Sequence, residues 1–180
     1  MTTGEQRPMT PYDRRMYRLM NRPEAAPFHA TAARRRAVVL AHVALTGAGV
    51  LAWLGSVLGE RRWATVAMLV LLLPWCVATG VINSSTRGLL ELRVRALDER
   101  QRAERNRVLA RAHRATLWTL LAAVAGSGAA ALAGVAQKEL LFPVLFAVLV
   151  THWLMPLWIA GLTAQDEPDL ADDPVETAAQ

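Results

Sequence analysis

Four stretches of this chain contain no Asp, Glu, Lys or Arg, and each is at least 23 residues long. They cover 37–59, 63–86, 115–137 and 140–165. About 20 apolar residues suffice to cross ~30 Å of hydrocarbon as a helix. Lipid offers no partner to an open backbone, so a run of this kind must close its own hydrogen bonds as a helix. The pattern predicts an all-α fold: an integral membrane four-helix bundle with spans at about 37–59, 63–84, 115–137 and 140–164. The apolar residues, 53% of the chain, are gathered into these blocks and not spread at the spacing of a soluble core. The 36 residues ahead of the first run are too many for a secretory leader, and no small-x-small site follows it. That run is read as an uncleaved anchor within a membrane domain over 37–164.

The third run is the weakest. "TLLAAVAGSGAAALAGVA" is mostly Ala and Gly, so its transfer into lipid is marginal. It is expected to insert as a hairpin with the fourth run. Were it to stay outside, three crossings would remain and the C-terminus would change sides.

Charge sets the orientation. Residues 1–36 hold eight Arg and three acids; residues 84–114 hold nine Arg and four acids. Residues 165–180 hold six acids and no base, with two prolines, and are expected to be disordered. With four spans these three segments share a side, opposed only by Arg61, Arg62 and Lys138. The positive-inside rule then places both termini in the cytoplasm. Lys138 is the only lysine, and Arg and Ala prevail as in a high-GC bacterial genome. The basic residues flank apolar runs, so the expected partner is an anionic inner leaflet and not nucleic acid.

Within 84–114, "LDERQRAERNR" alternates charge densely. Glu91–Arg95, Asp98–Arg102 and Arg100–Glu104 are spaced i,i+4 and each pair adds ~0.2–0.5 kcal/mol to a helix. The segment 85–114 is therefore expected to be a long charged cytoplasmic helix continuous with the third span. It either retains the loop in the cytoplasm or docks a protein partner or second copy through Asp98, Glu99, Arg102 and Glu104. "RALDERQRAERNRVLARAHRA" ahead of a hydrophobic run resembles small multi-span bacterial membrane proteins of unknown function, common in actinobacteria, which carry a similar Asp-Glu-Arg segment. The resemblance reaches at most over 85–163. It implies a topology and no catalytic role.

The N-terminal tail, 1–36, contains "TPYDRRMYRLMNRP". Thr10 can cap a helix, Pro11 suits its first position and Pro23 ends it. Tyr12, Met16, Leu19 and Met20 share one face, and Arg14, Arg15, Arg18 and Arg22 fall on the other. This predicts a short amphipathic helix lying on lipid. Arg34, Arg35 and Arg36 are expected at the same lipid surface.

Inside the spans, Ala44, Ala48, Ala52 and Ser56 recur every fourth residue, as do Ala122, Gly126, Ala130 and Gly134. Small residues at this spacing allow close helix packing, with each other or with a second protomer. Among the polar groups within the spans, His42 and His152 are the candidates for function. No charge lies within a run, Cys76 is the lone cysteine, and no catalytic or phosphate-binding motif is present. No catalytic, metal or cofactor residues are assigned. The expected function is a non-enzymatic accessory or interaction subunit. The alternatives are an oligomeric transporter or channel subunit, using a polar stripe in the second span, and a haem protein or other membrane enzyme using His42 or His152.

Overall fold

A computed structural model describes residues 10–20, 26–57, 59, 61–94 and 97–164. Arg22 and the acidic tail 165–180 lie outside the described residues. The described residues form six helices and no strand: α1 (Pro11–Met20), α2 (Ala26–His29), α3 (Ala32–Val57), α4 (Arg62–Ser85), α5 (Glu99–Leu132) and α6 (Gln137–Thr163). The last four are long and apolar enough to cross a membrane. At ~1.5 Å per residue they measure roughly 36 to 51 Å.

α1 starts as its sequence dictates. The Thr10 hydroxyl and N–H both donate to Asp13 Oδ2, at 2.7 and 3.0 Å, and the Asp13 N–H donates back to Thr10 Oγ1 at 3.3 Å. This reciprocal cap satisfies donors that a helix start leaves open. α3 begins before Arg34, Arg35 and Arg36, so these arginines belong to its first turns.

The helix expected over 85–114 is interrupted. α4 ends in a left-handed turn in which Arg87 has φ 52° and Gly88 φ 69°. The Arg87 and Gly88 N–H groups donate back to the carbonyls of Ser84 and Asn83, closing a Schellman motif. The helix resumes only at Glu99. Asp98 caps it, accepting from the Gln101 N–H at 2.7 Å, while Gln101 Oε1 accepts from the Asp98 N–H at 3.1 Å. A backbone-bonded turn at the end of α4 and a side-chain cap at the start of α5 thus override the helix propensity at both edges of the break. From Glu99 onward the charged strip and the third apolar run do form one 34-residue rod.

α5 ends in a second Schellman motif. Gly134 has φ 83°, and the Gly134 and Val135 N–H groups donate to the carbonyls of Ala131 and Ala130. α6 returns antiparallel after it.

α3 and α4 form one hairpin, α5 and α6 another, and α6 packs on both helices of the first pair. α5 is attached mainly through α6. The buried core lies at the Arg-rich ends, hereafter the basic side. Val39, Ile82, Leu154, Leu157 and Trp158 form its centre. Leu89, Val108 and Ala160 extend it beneath the turn after α4. Gly161 permits the closest approach: a Cβ there would stand 2.7 Å from Val39 Cγ2 and 2.9 Å from Ile82 Cγ2. Gly126 on α5 has nothing within 4 Å of such an atom. Gly161→Ala is expected to destabilise the fold by about 1–3 kcal/mol through overpacking, and Gly126→Ala to leave it unchanged. Thermal unfolding in detergent checks both.

Candidate functional site

His42 sits on α3 and is fully buried (0% exposed). The Trp158 indole N–H, from α6, donates to its Nδ1 at 2.9 Å. An indole nitrogen can only donate, so Nδ1 is the acceptor and the proton resides on Nε2. Nε2 lies 2.9 Å from Thr79 Oγ1 on α4, and the Thr79 hydroxyl donates onward to the Trp75 carbonyl at 2.9 Å. The Trp75 indole donates to Thr46 Oγ1 at 2.9 Å, and the Thr46 hydroxyl donates to the His42 carbonyl at 2.8 Å. The Trp75 ring also lies against the imidazole, with centroids 4.9 Å apart.

Donors and acceptors therefore form a closed set across three helices. Both ring nitrogens are engaged, so His42 offers no free lone pair to a metal. The arrangement ties α3, α4 and α6 together. Sequence reasoning singled out His42 but did not join it to Thr46, Trp75, Thr79 and Trp158. The available signal was the pairing of His42 with Thr46 and of Trp75 with Thr79 at i,i+4 in adjacent spans.

The basic side carries a built cap. Arg35, expected at a lipid surface, is buried and turned inward: its Nη2 donates to the Ala164 carbonyl at 3.0 Å and its Nη1 to the His29 carbonyl at 3.2 Å. It staples the start of α3 to the ends of α2 and α6. Arg34 is exposed and donates to the Pro27 carbonyl at 2.8 Å. α1 lies against the turn that follows α4. The Arg93 guanidinium stands 5.0 Å from the centroid of the Tyr12 ring, a cation–π distance. A Cβ at Gly88 would meet Met20 Cγ at 2.7 Å. Arg102 and Arg105 reach back from α5 to the carbonyls of Val94 and Leu92, at 3.0 and 2.9 Å.

Of the expected docking residues, Asp98 and Arg102 are thus used within the cap. Glu99 is exposed and Glu104 half-buried. Arg14, Arg15, Arg18 and Arg36 are exposed around them.

The two small-residue stripes do not meet. Ala44, Ala48, Ala122 and Gly126 are exposed, and Ala52 and Ala130 are half-buried. Ser56 shares a hydrogen bond with Thr65 of α4 at 3.0 Å. Gly134 lies beyond the end of α5 in the turn. The polar positions of the second span are directed to different neighbours: Thr65 to Ser56, Thr79 to His42, while Cys76 is exposed. His152 is exposed on α6, facing a groove shared with His113 of α5. Among the described residues, no group of three or more His, Cys, Asp or Glu is placed to hold a metal.

No family model, curated protein or solved structure matches the chain.

Two outcomes follow from this geometry. His42→Phe leaves the Trp158 N–H and the Thr79 hydroxyl without their imidazole partner and is expected to destabilise by about 1–3 kcal/mol. Trp158→Phe removes a single interhelical bond along with its indole packing, and thermal unfolding of both variants in detergent tests whether His42 is the hub. His29, outside the spans, has its pKa held below the usual 6.5, chiefly by burial, with the nearby Arg35 charge adding to the effect and its own backbone bond opposing it. The folded state therefore favours neutral His29. Its contribution is present above pH 6.5 and is lost as pH falls below that value. Protease sensitivity of the α1–α2 region should rise on acidification, and His29→Gln should remove that dependence.

Proposed function

We propose that this chain is a non-enzymatic accessory or interaction subunit of the bacterial cytoplasmic membrane. In this reading it crosses four times with both termini cytoplasmic, and the basic cap is its working surface. The charge distribution supports the orientation. Eight and nine arginines flank the spans on one side, against Arg61, Arg62 and Lys138 on the other.

The observation that carries the reading is the order of the cap. Topology needs only the presence of arginines near the spans, and a loose tail would supply them. Here residues distant in sequence are fixed together: Tyr12 beneath Arg93, Met20 against Gly88, and Arg105 on the Leu92 carbonyl. Ordering a backbone costs roughly 1–2 kcal/mol per residue. A surface held at that cost presents a defined arrangement to whatever lies on it. Arg14, Arg15, Arg18 and Arg36 are outward and suit anionic head groups. The start of α5, with Glu99 and Arg100 both exposed, offers charges of either sign to a protein partner. The engagement of both His42 ring nitrogens supports a structural role for that residue.

The test is native mass analysis of the complex extracted from its own membrane in mild detergent. A stoichiometric second protein is expected, and it should be lost on combining Glu99→Arg with Arg100→Glu. These exposed positions leave the Asp98 cap intact. A chain that runs alone or only with copies of itself would overturn the accessory role. Reporter fusions at the two ends should both report the cytoplasm.

A further inference from the structure

Between α5 and α6 lies a groove of about 350 Å³. His113, Thr116, Leu117 and Leu120 line it from α5, and Leu149 and His152 line it from α6. We propose that this groove binds a neutral, carbonyl-bearing membrane amphiphile of the quinone class, entering sideways from the lipid.

Thr116 points to a ligand. A threonine within an apolar helix normally returns its hydroxyl to the carbonyl four residues back. Thr46, Thr79, Thr119, Thr151 and Thr163 all do so here, at 2.7 to 3.1 Å. Thr116 is buried, only 5% exposed, yet among the described residues its hydroxyl has no hydrogen-bond partner and it lines the groove. Among the described residues Asn83 Oδ1 is the buried side-chain atom that lacks a partner, so the Thr116 oxygen itself stays reachable, and an acceptor can meet its hydroxyl from the groove. The imidazoles of His113 and His152 likewise have no hydrogen-bond partner among the described residues. Two rings and one hydroxyl therefore face a single space.

The lining selects the chemistry. Among the described residues no Arg or Lys lines the groove, so a phosphate head would find no counter-charge from them in it. Two imidazoles without a third His, Cys, Asp or Glu make a poor metal set. A hydroxyl and two imidazoles along an apolar slot suit a ring carbonyl. The volume lies near the lower end of the ~300–1,000 Å³ typical of small-molecule sites and suits one ring and the start of a tail. Depth agrees as well. His113 stands beside Arg114, the last charge before the apolar part of α5. The head would rest just inside the charged boundary. The tail would follow Leu117, Leu120 and Leu149, which are 40 to 63% exposed.

The full chain in lipid nanodiscs would be titrated with a decyl-substituted benzoquinone by equilibrium dialysis, with protein-free discs as the partition control. Saturable binding near one per chain is expected above that control. Thr116→Val and His152→Leu should each weaken it about tenfold. Thr116→Ser keeps the hydroxyl and should retain it. Leu149→Trp should block it by filling the groove, while Leu72→Trp, on a different crevice, should not. Binding that only tracks partition into lipid would overturn the proposal. So would saturable binding indifferent to Thr116→Val and Leu149→Trp in variants that keep the wild-type unfolding profile. Displacement of the quinone by an anionic phospholipid at equal concentration would overturn the assignment of a neutral ligand.

Discussion

A polar side chain buried among apolar helices must find its partners within the protein, because lipid supplies none. His42 meets that demand with Trp158 on one nitrogen and Thr79 on the other. The two bonds point to different helices, so satisfying the imidazole fixes the lateral order of α3, α4 and α6. It also fixes their rotation, since a helix turned by one residue (~100°) would carry Thr79 or Trp158 out of reach. Packing then follows from position. Val39, one turn from His42, meets Ile82 and the Leu154–Trp158 segment, and Gly161 allows those backbones to close. Arg35 repeats the logic one turn beyond the core, where its guanidinium takes up the end carbonyls that α2 and α6 leave open.

This concentration of contacts at the basic side has a consequence for the opposite half. There the same three helices leave an apolar crevice of about 240 Å³ bordered by Trp53, Met68, Trp75, Phe146 and Trp153. Aromatic contacts bridge its edge, with Trp53 stacked on Phe146 at a centroid distance of 3.9 Å. Such rings hold area in contact without the directional demands of a hydrogen bond. The molecule is thus tied by polar bonds at one end and padded by flat rings along the rest.

The four apolar runs were legible because their length and freedom from charge leave a helix as the plain solution; α3, α4 and α6 follow them closely, while α5 also takes in the charged strip from Glu99. The capping of α1 by Thr10 was equally readable, since Thr-Pro-x-Asp encodes its own bonds. The break after Ser85 was not. Residues 86–98 favour helix locally, and Arg87 in a left-handed conformation is not a residue type that announces one. Gly88 carried the only hint. Arg35 was misplaced for a related reason: charge and position by the membrane favour lipid, and only the fold reveals two carbonyls within its reach. The small-residue spacing at Ala122, Gly126 and Ala130 was visible, but spacing does not name the neighbour, and among the described residues nothing stands within 4 Å of a Cβ at Gly126.

The densely charged strip acquires a mechanical sense from these contacts. The apolar part of α5 is Ala- and Gly-rich, so it gains little from lipid and has little surface with which to grip a neighbour. A helix of that kind is best held by its ends. At one end the Gly134 turn passes the chain straight into α6. At the other, the strip carries the rod past the apolar region to the cap. There Asp98 closes its first turn, Arg102 and Arg105 grip the 92–94 backbone, and Val108 inserts beside Leu89 and Ala160. These attachments belong to charged or buried residues that a shorter helix would lack. The interruption of the apolar pattern and the placement of the third span are therefore one feature: the charge lets a weak span be anchored from the basic side.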